Sequence, residues 1–181
     1  LLYQKPVQIL PILCLVSKER STGKTTFLKW LKTIFENNLT YLTNDSFGSQ
    51  FNSDWTNKLL ICIDEVLFNK EELTERIKYL STTNYNKLEA KGKDKIEAEF
   101  FGKFILCSNN EDNFIKIDAA EERFWVRRIT KFKLEDTYLL QKLIAEIPAF
   151  LFFLSNRNLS TPNHTRMWFY PAQIRTKALI N

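Results

Sequence analysis

Glycine is scarce, with four in 181 residues. That excludes glycine-rich linkers and low-complexity segments and points to one compact domain with short connections. Histidine is scarcer still, and the single His164 lies far from Cys14, Cys62 and Cys107, no two of which have C-x-x-C spacing. The pattern argues against a zinc site. Each cysteine sits inside an apolar run, as expected of buried free thiols in a reducing compartment. No apolar run approaches the roughly 20 residues that span a bilayer. "ILPILCLV" also lacks the basic flank and small-residue cleavage site of a signal peptide. There is no starting Met, so the chain reads as a piece of a longer protein. Hydrophobic residues at 44% and charged residues at 26% exclude disordered and fibrous classes. A net charge of +5 favours a polyanionic partner, though only mildly.

"QILPILCLV" (8–16) is a continuous apolar run, expected of a strand buried on both faces. From Lys24 onward Phe27/Leu28, Leu31 and Ile34/Phe35 recur at helical intervals. "LTYLT" (39–43) reads as a second strand, and "KLLICIDEV" (58–66) as a third that ends on two acids. Asn69 with Glu72 forms a capping-box variant, announcing a helix that buries Leu73, Ile77 and Leu80. "KLEAKGKDKIEAEF" (87–100) alternates around Gly92 as a hairpin does. "KFILCSNN" (103–110) and "RFWVRRI" (123–129) supply two more strands, and a helix is expected from near Glu135 to Pro148. This alternation predicts an α/β fold: a central, mainly parallel five-stranded sheet flanked by helices, with the hairpin inserted before the fourth strand. Ligands are then expected at the carboxyl ends of the strands. The core is expected over residues 1–155. The remainder, 156–181, is an extension packing on or leaving it, in which "MWFYPAQI" (167–174) reads as a packing segment or a base-stacking surface.

The chemistry concentrates in four places. "SKERSTGKTT" lies between a buried strand and an amphipathic helix, the order a phosphate-binding loop requires. Ser21, Thr22 and Gly23 would surround the phosphates with backbone amides, and Lys24 would reach the β- and γ-phosphates. Thr25 would ligate Mg²⁺, and Thr26 would touch the α-phosphate. Lys18 stands where such loops open on glycine, so the loop must turn without positive φ there or strain that residue. A solvated basic loop is the alternative. Asp64 and Glu65 end an apolar strand and suit two tasks, holding the metal's water shell and polarising an attacking water. Asn109 ends another strand, where an amide could sense the γ-phosphate; a plain turn residue is the alternative. Arg123 could serve a neighbouring subunit's phosphate or pair with Glu121 or Glu122. Lys91, Lys93 and Lys95 alternate around the hairpin tip, so a strand-like arm would aim all three one way, towards a phosphate backbone. A solvated turn is the alternative.

Together "SKERSTGKTT", "LLICIDEV", "NKLEAKGKDK", "FILCSNN" and "ERFWVRRI", in that order, resemble a superfamily 3 helicase. These are AAA+-like P-loop NTPase motors of viruses, phages and mobile elements. The resemblance runs over about residues 7–155 and lies nearest the helicase part of phage- and plasmid-type primase–helicases. It implies ATP and Mg²⁺ as cofactors, bound by Gly23, Lys24 and Thr25, with Asp64 and Glu65 handling metal and water and Asn109 as sensor. It further implies a homo-oligomer, a hexameric ring, on single-stranded DNA or a forked duplex, with Arg123 as the finger supplied in trans. Lys93, then Lys91, would lead the DNA contacts, and the ATP state would move their hairpin. A primase would lie on the same full-length chain outside this sequence, and the setting would be the cytoplasm of a bacterial host, with no membrane. Three alternatives stay open: an AAA+-like initiator or remodelling ATPase that unwinds nothing, a nucleic-acid-binding module that does not hydrolyse ATP, and a small-molecule kinase. The last needs an arginine-rich lid that the sequence does not offer.

Overall fold

Why the apolar runs read as strands becomes visible in their two faces. The computed structural model describes residues 4, 8–66, 68, 71–111, 114–115 and 121–159. The chain begins β1 (Ile12–Val16), α1 (Lys24–Phe35), β2 (Leu39–Leu42), α2 (Asn44–Gly48) and β3 (Leu60–Ile63). It continues α3 (Glu71–Leu80), β4 (Tyr85–Leu88), β5 (Ile96–Glu99) and β6 (Lys103–Ser108). β7 (Phe124–Arg128), α4 (Leu139–Ala145) and α5 (Ile147–Asn156) complete the order. Ile12, Cys14, Val16, Ile61, Ile63, Phe104, Leu106, Phe124 and Val126 point to one core cluster. Their strand neighbours Leu15, Leu60, Cys62, Ile105 and Cys107 point to a second, where Leu28 and Leu31 of α1 cover them. Burying both faces requires apolar residues at successive positions, hence unbroken runs rather than alternation.

Five strands form one parallel sheet in the order β2-β3-β6-β1-β7. β6 therefore lies between β1 and β3, with Val16 opposite Ser108 and Ile63 opposite Leu106. All five run the same way, so Ser17, Asp64 and Asn109, each just past its strand's end, emerge at one edge. β4 and β5 form the expected antiparallel hairpin, with Leu88 opposite Ile96. The hairpin root is held by the buried Asn52, whose Nδ2 donates to Lys87 O at 2.8 Å and whose Oδ1 accepts from Glu89 N at 2.8 Å. That amide matches the backbone's own donor–acceptor spacing and so acts as a short strand partner.

Two expectations need correction and two lie out of reach. The single helix from Glu135 to Pro148 is instead two helices that meet at Glu146, with Pro148 in the first turn of α5. Proline lacks an amide hydrogen that a first turn does not use, so it opens a helix as readily as it ends one. The start also shifts to Leu139, because Asp136 turns the chain there by accepting from Tyr138 N at 2.9 Å. α2 was not foreseen. Thr43 caps it by accepting from Ser46 N at 3.1 Å, and it buries Phe47 against the fully buried Trp55. The capping role of Asn69 and the segment 167–174 fall outside the described residues. No single helix among the described residues is long and apolar enough to cross a membrane, and the α4–α5 pair that would suffice by length is bent by 51°. α4 and α5 pack on α1, where Trp30 Nε1 donates to Leu143 O at 3.1 Å and its ring lies 5.0 Å from that of Phe150.

Lys103 is buried at the start of β6, donating to the Phe101 carbonyl, and burial pulls its ammonium down to about 8. The folded chain therefore gives up this proton before the unfolded chain does. Its burial costs stability below pH 8, and that cost is relieved as pH rises from about 8 towards the free lysine value near 10.4. Lys103→Met should raise stability at pH 7 by about 1–2 kcal/mol, read from the urea midpoint, with the gain shrinking as pH approaches 10.

Candidate functional site

The loop from Ser17 to Gly23 leaves β1 and enters α1 at Lys24, so the lysine is the first helical residue and Gly23 its cap. Gly23 has φ +82°, and Ser21 has φ +56°. Lys18 does not take positive φ; the left-handed turn falls on Ser21 instead. The missing glycine is thus accommodated three residues downstream, at a cost of about 1 kcal/mol for a non-glycine residue in that region. Glycine at 23 answers a second constraint as well. A Cβ there would lie 2.7 Å from Cε2 of Phe132, a contact no local pattern announces.

Lys24 is 7% exposed, and its ammonium has three neutral partners. It donates to Ser17 Oγ, to Thr22 Oγ1 at 3.1 Å and to Asn109 Oδ1 at 2.8 Å. Burial pulls its pKa below the ordinary lysine value, while the thiol of Cys107 and then Asp64 act in the opposite sense. Beside it, Thr25 Oγ1 donates to Asp64 Oδ2 at 3.3 Å. Glu65 follows with φ +56°, its backbone pinned from both sides: its N donates to Asp64 Oδ1 at 3.0 Å, and its O accepts from Asn44 Nδ2 at 3.3 Å. These contacts hold a strained residue so that the Glu65 side chain lines the cleft. The cleft, about 180 Å³, is bounded by Arg20, Ser21 to Thr26, Asp64, Glu65 and Asn109.

The sequence-predicted residues Ser21, Thr22, Gly23, Lys24, Thr25, Thr26, Asp64, Glu65 and Asn109 therefore share one cleft. Chemically this is a buried cation with neutral ligands only, at a helix N-terminus, next to a hydroxyl and a carboxylate. Such a set suits a polyphosphate whose charge Lys24 offsets. Thr25 and Asp64 offer two oxygen atoms that could hold a hard divalent cation retaining most of its waters.

The DUF5906 family, described as a family of unknown function, matches over residues 15–128, a span that contains every one of these groups. The chain belongs to the DUF5906 family. A search of the curated proteins finds no match. Among solved structures, this DUF5906 chain is similar to the apo structure of the NrS-1 C-terminal region, with 21% identity and a TM-score of 0.75 over 90% of this chain and 40% of that one. A second apo structure of that region, the A form, aligns at 22% identity and a TM-score of 0.76 over 95% and 42%. The chain spans about 40% of the length of these structures, and at this identity the likeness shows a shared fold.

The remaining predicted residues of the DUF5906 chain stand apart from the cleft. Arg123 precedes β7, and its carbonyl accepts from Ile12 N at 2.7 Å, so it sits at the sheet edge opposite Lys24. Its Nε donates to Glu121 Oε1 at 2.7 Å, the intrachain pairing foreseen as the alternative. Lys91, Lys93 and Lys95 are exposed, but they lie in the turn between Leu88 and Ile96 and not on a strand. The expectation that strand alternation aims all three one way is therefore corrected. Gly92 has φ +73°, Lys93 N donates to Ala90 O at 3.2 Å, and Lys95 pairs with Glu89 at 2.7 Å. Ser17, Arg20 and Asn44 join the site without having been anticipated. Ser17 was findable by the rule that selected Asp64 and Asn109, since it is a polar residue just past the end of an apolar strand.

Proposed function

We propose that this chain is the ATP-hydrolysing motor domain of a replication protein of a virus or mobile element, a superfamily 3, AAA+-like P-loop helicase acting on single-stranded DNA. The supporting observation is the convergence of two hydrogen-bonded pairs in one cleft, Lys24 with Asn109 and Thr25 with Asp64, although 85 residues separate Lys24 from Asn109. The Lys24 ammonium would turn from Thr22 and Asn109 to a bound triphosphate, Thr25 and Asp64 would hold Mg²⁺, and Glu65 would orient the attacking water. When bound there, the metal would supply charge neutralisation to the phosphate chain. The strand order favours this reading because β6 carries Asn109 between the lysine strand and the acidic strand.

Arg123 lies too far from its own cleft to act there, which favours hydrolysis between subunits of a ring. The hairpin lysines would line the path of the strand. Phosphate release measured against protein concentration, with and without single-stranded DNA, tests the reading. Specific activity should rise steeply with concentration and rise further with DNA. Activity that stays flat would contradict assembly, and absence of any ATP-dependent release would overturn the reading itself. Strand displacement by the full-length protein separates a helicase from an initiator that only remodels.

A further inference from the structure

We propose that Phe132 is the platform on which the nucleobase stacks, an inference that rests on the nucleotide site described above. The sheet order gives the triphosphate a direction. β6 and β3, carrying Asn109 and Asp64, lie on one side of β1, and β7 lies on the other. The γ-phosphate end belongs beside Asn109 and Asp64, so the ribose and base leave the loop on the β7 side. β7 keeps its register to the end of β1, and Ile129 N still donates to Val16 O at 2.8 Å. The chain then crosses towards the phosphate loop, and three residues later Phe132 lies against Gly23, close enough that a side chain at position 23 would collide with its ring edge.

Two features distinguish this ring from an incidental surface aromatic. It touches the one glycine of the loop, and it remains 52% exposed there, leaving ring surface open beside the cleft mouth. A phenyl ring presents a flat apolar surface and no hydrogen-bonding group. It would therefore hold any base by stacking and select by ring area, not by reading base edges. The substrate class is accordingly a nucleoside triphosphate in which the base contributes affinity independently of the phosphates.

The test compares Mg²⁺-ATP with Mg²⁺-tripolyphosphate, which keeps the phosphate chain and lacks the base, by calorimetric titration of the same protein. Phe132→Leu retains apolar bulk against Gly23 and loses the ring face, whereas Phe132→Trp enlarges it. Phe132→Leu should weaken ATP by about five- to hundredfold, the range for loss of one aromatic stack, and leave tripolyphosphate unchanged. Phe132→Trp should hold ATP at least as tightly as the parent. Equal weakening of both ligands would make Phe132 a support for the loop and overturn the inference, as would no change in either. If the parent protein binds neither ligand, the nucleotide site and this inference fall together.

Discussion

Lys24→Ala should reduce ATP turnover by at least about 10²–10³-fold without unfolding the chain. The ammonium is buried where the loop enters α1, and its partners Ser17, Thr22 and Asn109 carry no charge. An incoming phosphate therefore meets a cation whose field has not been cancelled by a bonded carboxylate. Removing it takes that field away from both the bound nucleotide and the developing charge on the leaving phosphate. Stability should hold or rise, because the buried ammonium loses hydration on folding, as its lowered pKa records. Lys24→Arg should not restore activity, since a planar guanidinium cannot fit among three acceptors that surround a single nitrogen. Phosphate release and thermal melting, measured together, check the prediction. A solvated loop lysine would leave turnover unchanged.

The second large effect is expected at Arg123. Arg123→Ala should lower kcat by about 10³-fold with little change in ATP affinity, because a finger acts on the transition-state charge of a neighbour's phosphate. Within one subunit the residue is at the wrong end of the sheet. It lies just before Phe124, which is in register with Ile12, and the five-residue strands carry the chain roughly 13 Å away before the loop begins. The discriminating experiment mixes two inactive proteins. Lys24→Ala supplies an intact Arg123 and Arg123→Ala an intact Lys24, so about a quarter of randomly formed interfaces regain a complete site. Recovery of activity on mixing supports a role in trans. If Arg123 only steadies Glu121, mixing restores nothing and Glu121→Gln costs as much as Arg123→Ala.

What could be read from the residues alone follows a physical division. The strands were legible because a sheet covered on both faces demands long apolar runs, and the cleft was legible because the polar residues just past the ends of β1, β3 and β6 mark the same edge. Asp64 and Asn109 were found by that reasoning, and they meet Thr25 and Lys24 as it required. Features that depend on distant partners left no local trace. The left-handed turn falls on Ser21 and not on Lys18, and serine has no preference for that region that would announce it. The approach of Phe132 to Gly23 joins positions more than a hundred residues apart and has no periodicity to betray it. The hairpin lysines misled for a related reason. Alternation implies a common direction only on a strand, and β4 ends at Leu88, before the first of these lysines, while β5 begins at Ile96, after the last.

The short link between the hairpin and β6 has a mechanical consequence. Only residues 100 to 102 separate β5 from β6, the strand that leads to Asn109. β6 cannot work as a piston in that train, because it is laddered to β1 on one side and β3 on the other, and a slip of one residue would turn every core side chain to the opposite face. Nor does the link offer a free joint. A Cβ on Gly102 would sit 2.7 Å from Ile61 and 2.8 Å from Phe100, so the coupling is wedged in place. Hairpin root and sheet are thereby tied together, so if this chain pulls on a strand as proposed, the hairpin would be carried with the sheet like a tooth on a gear.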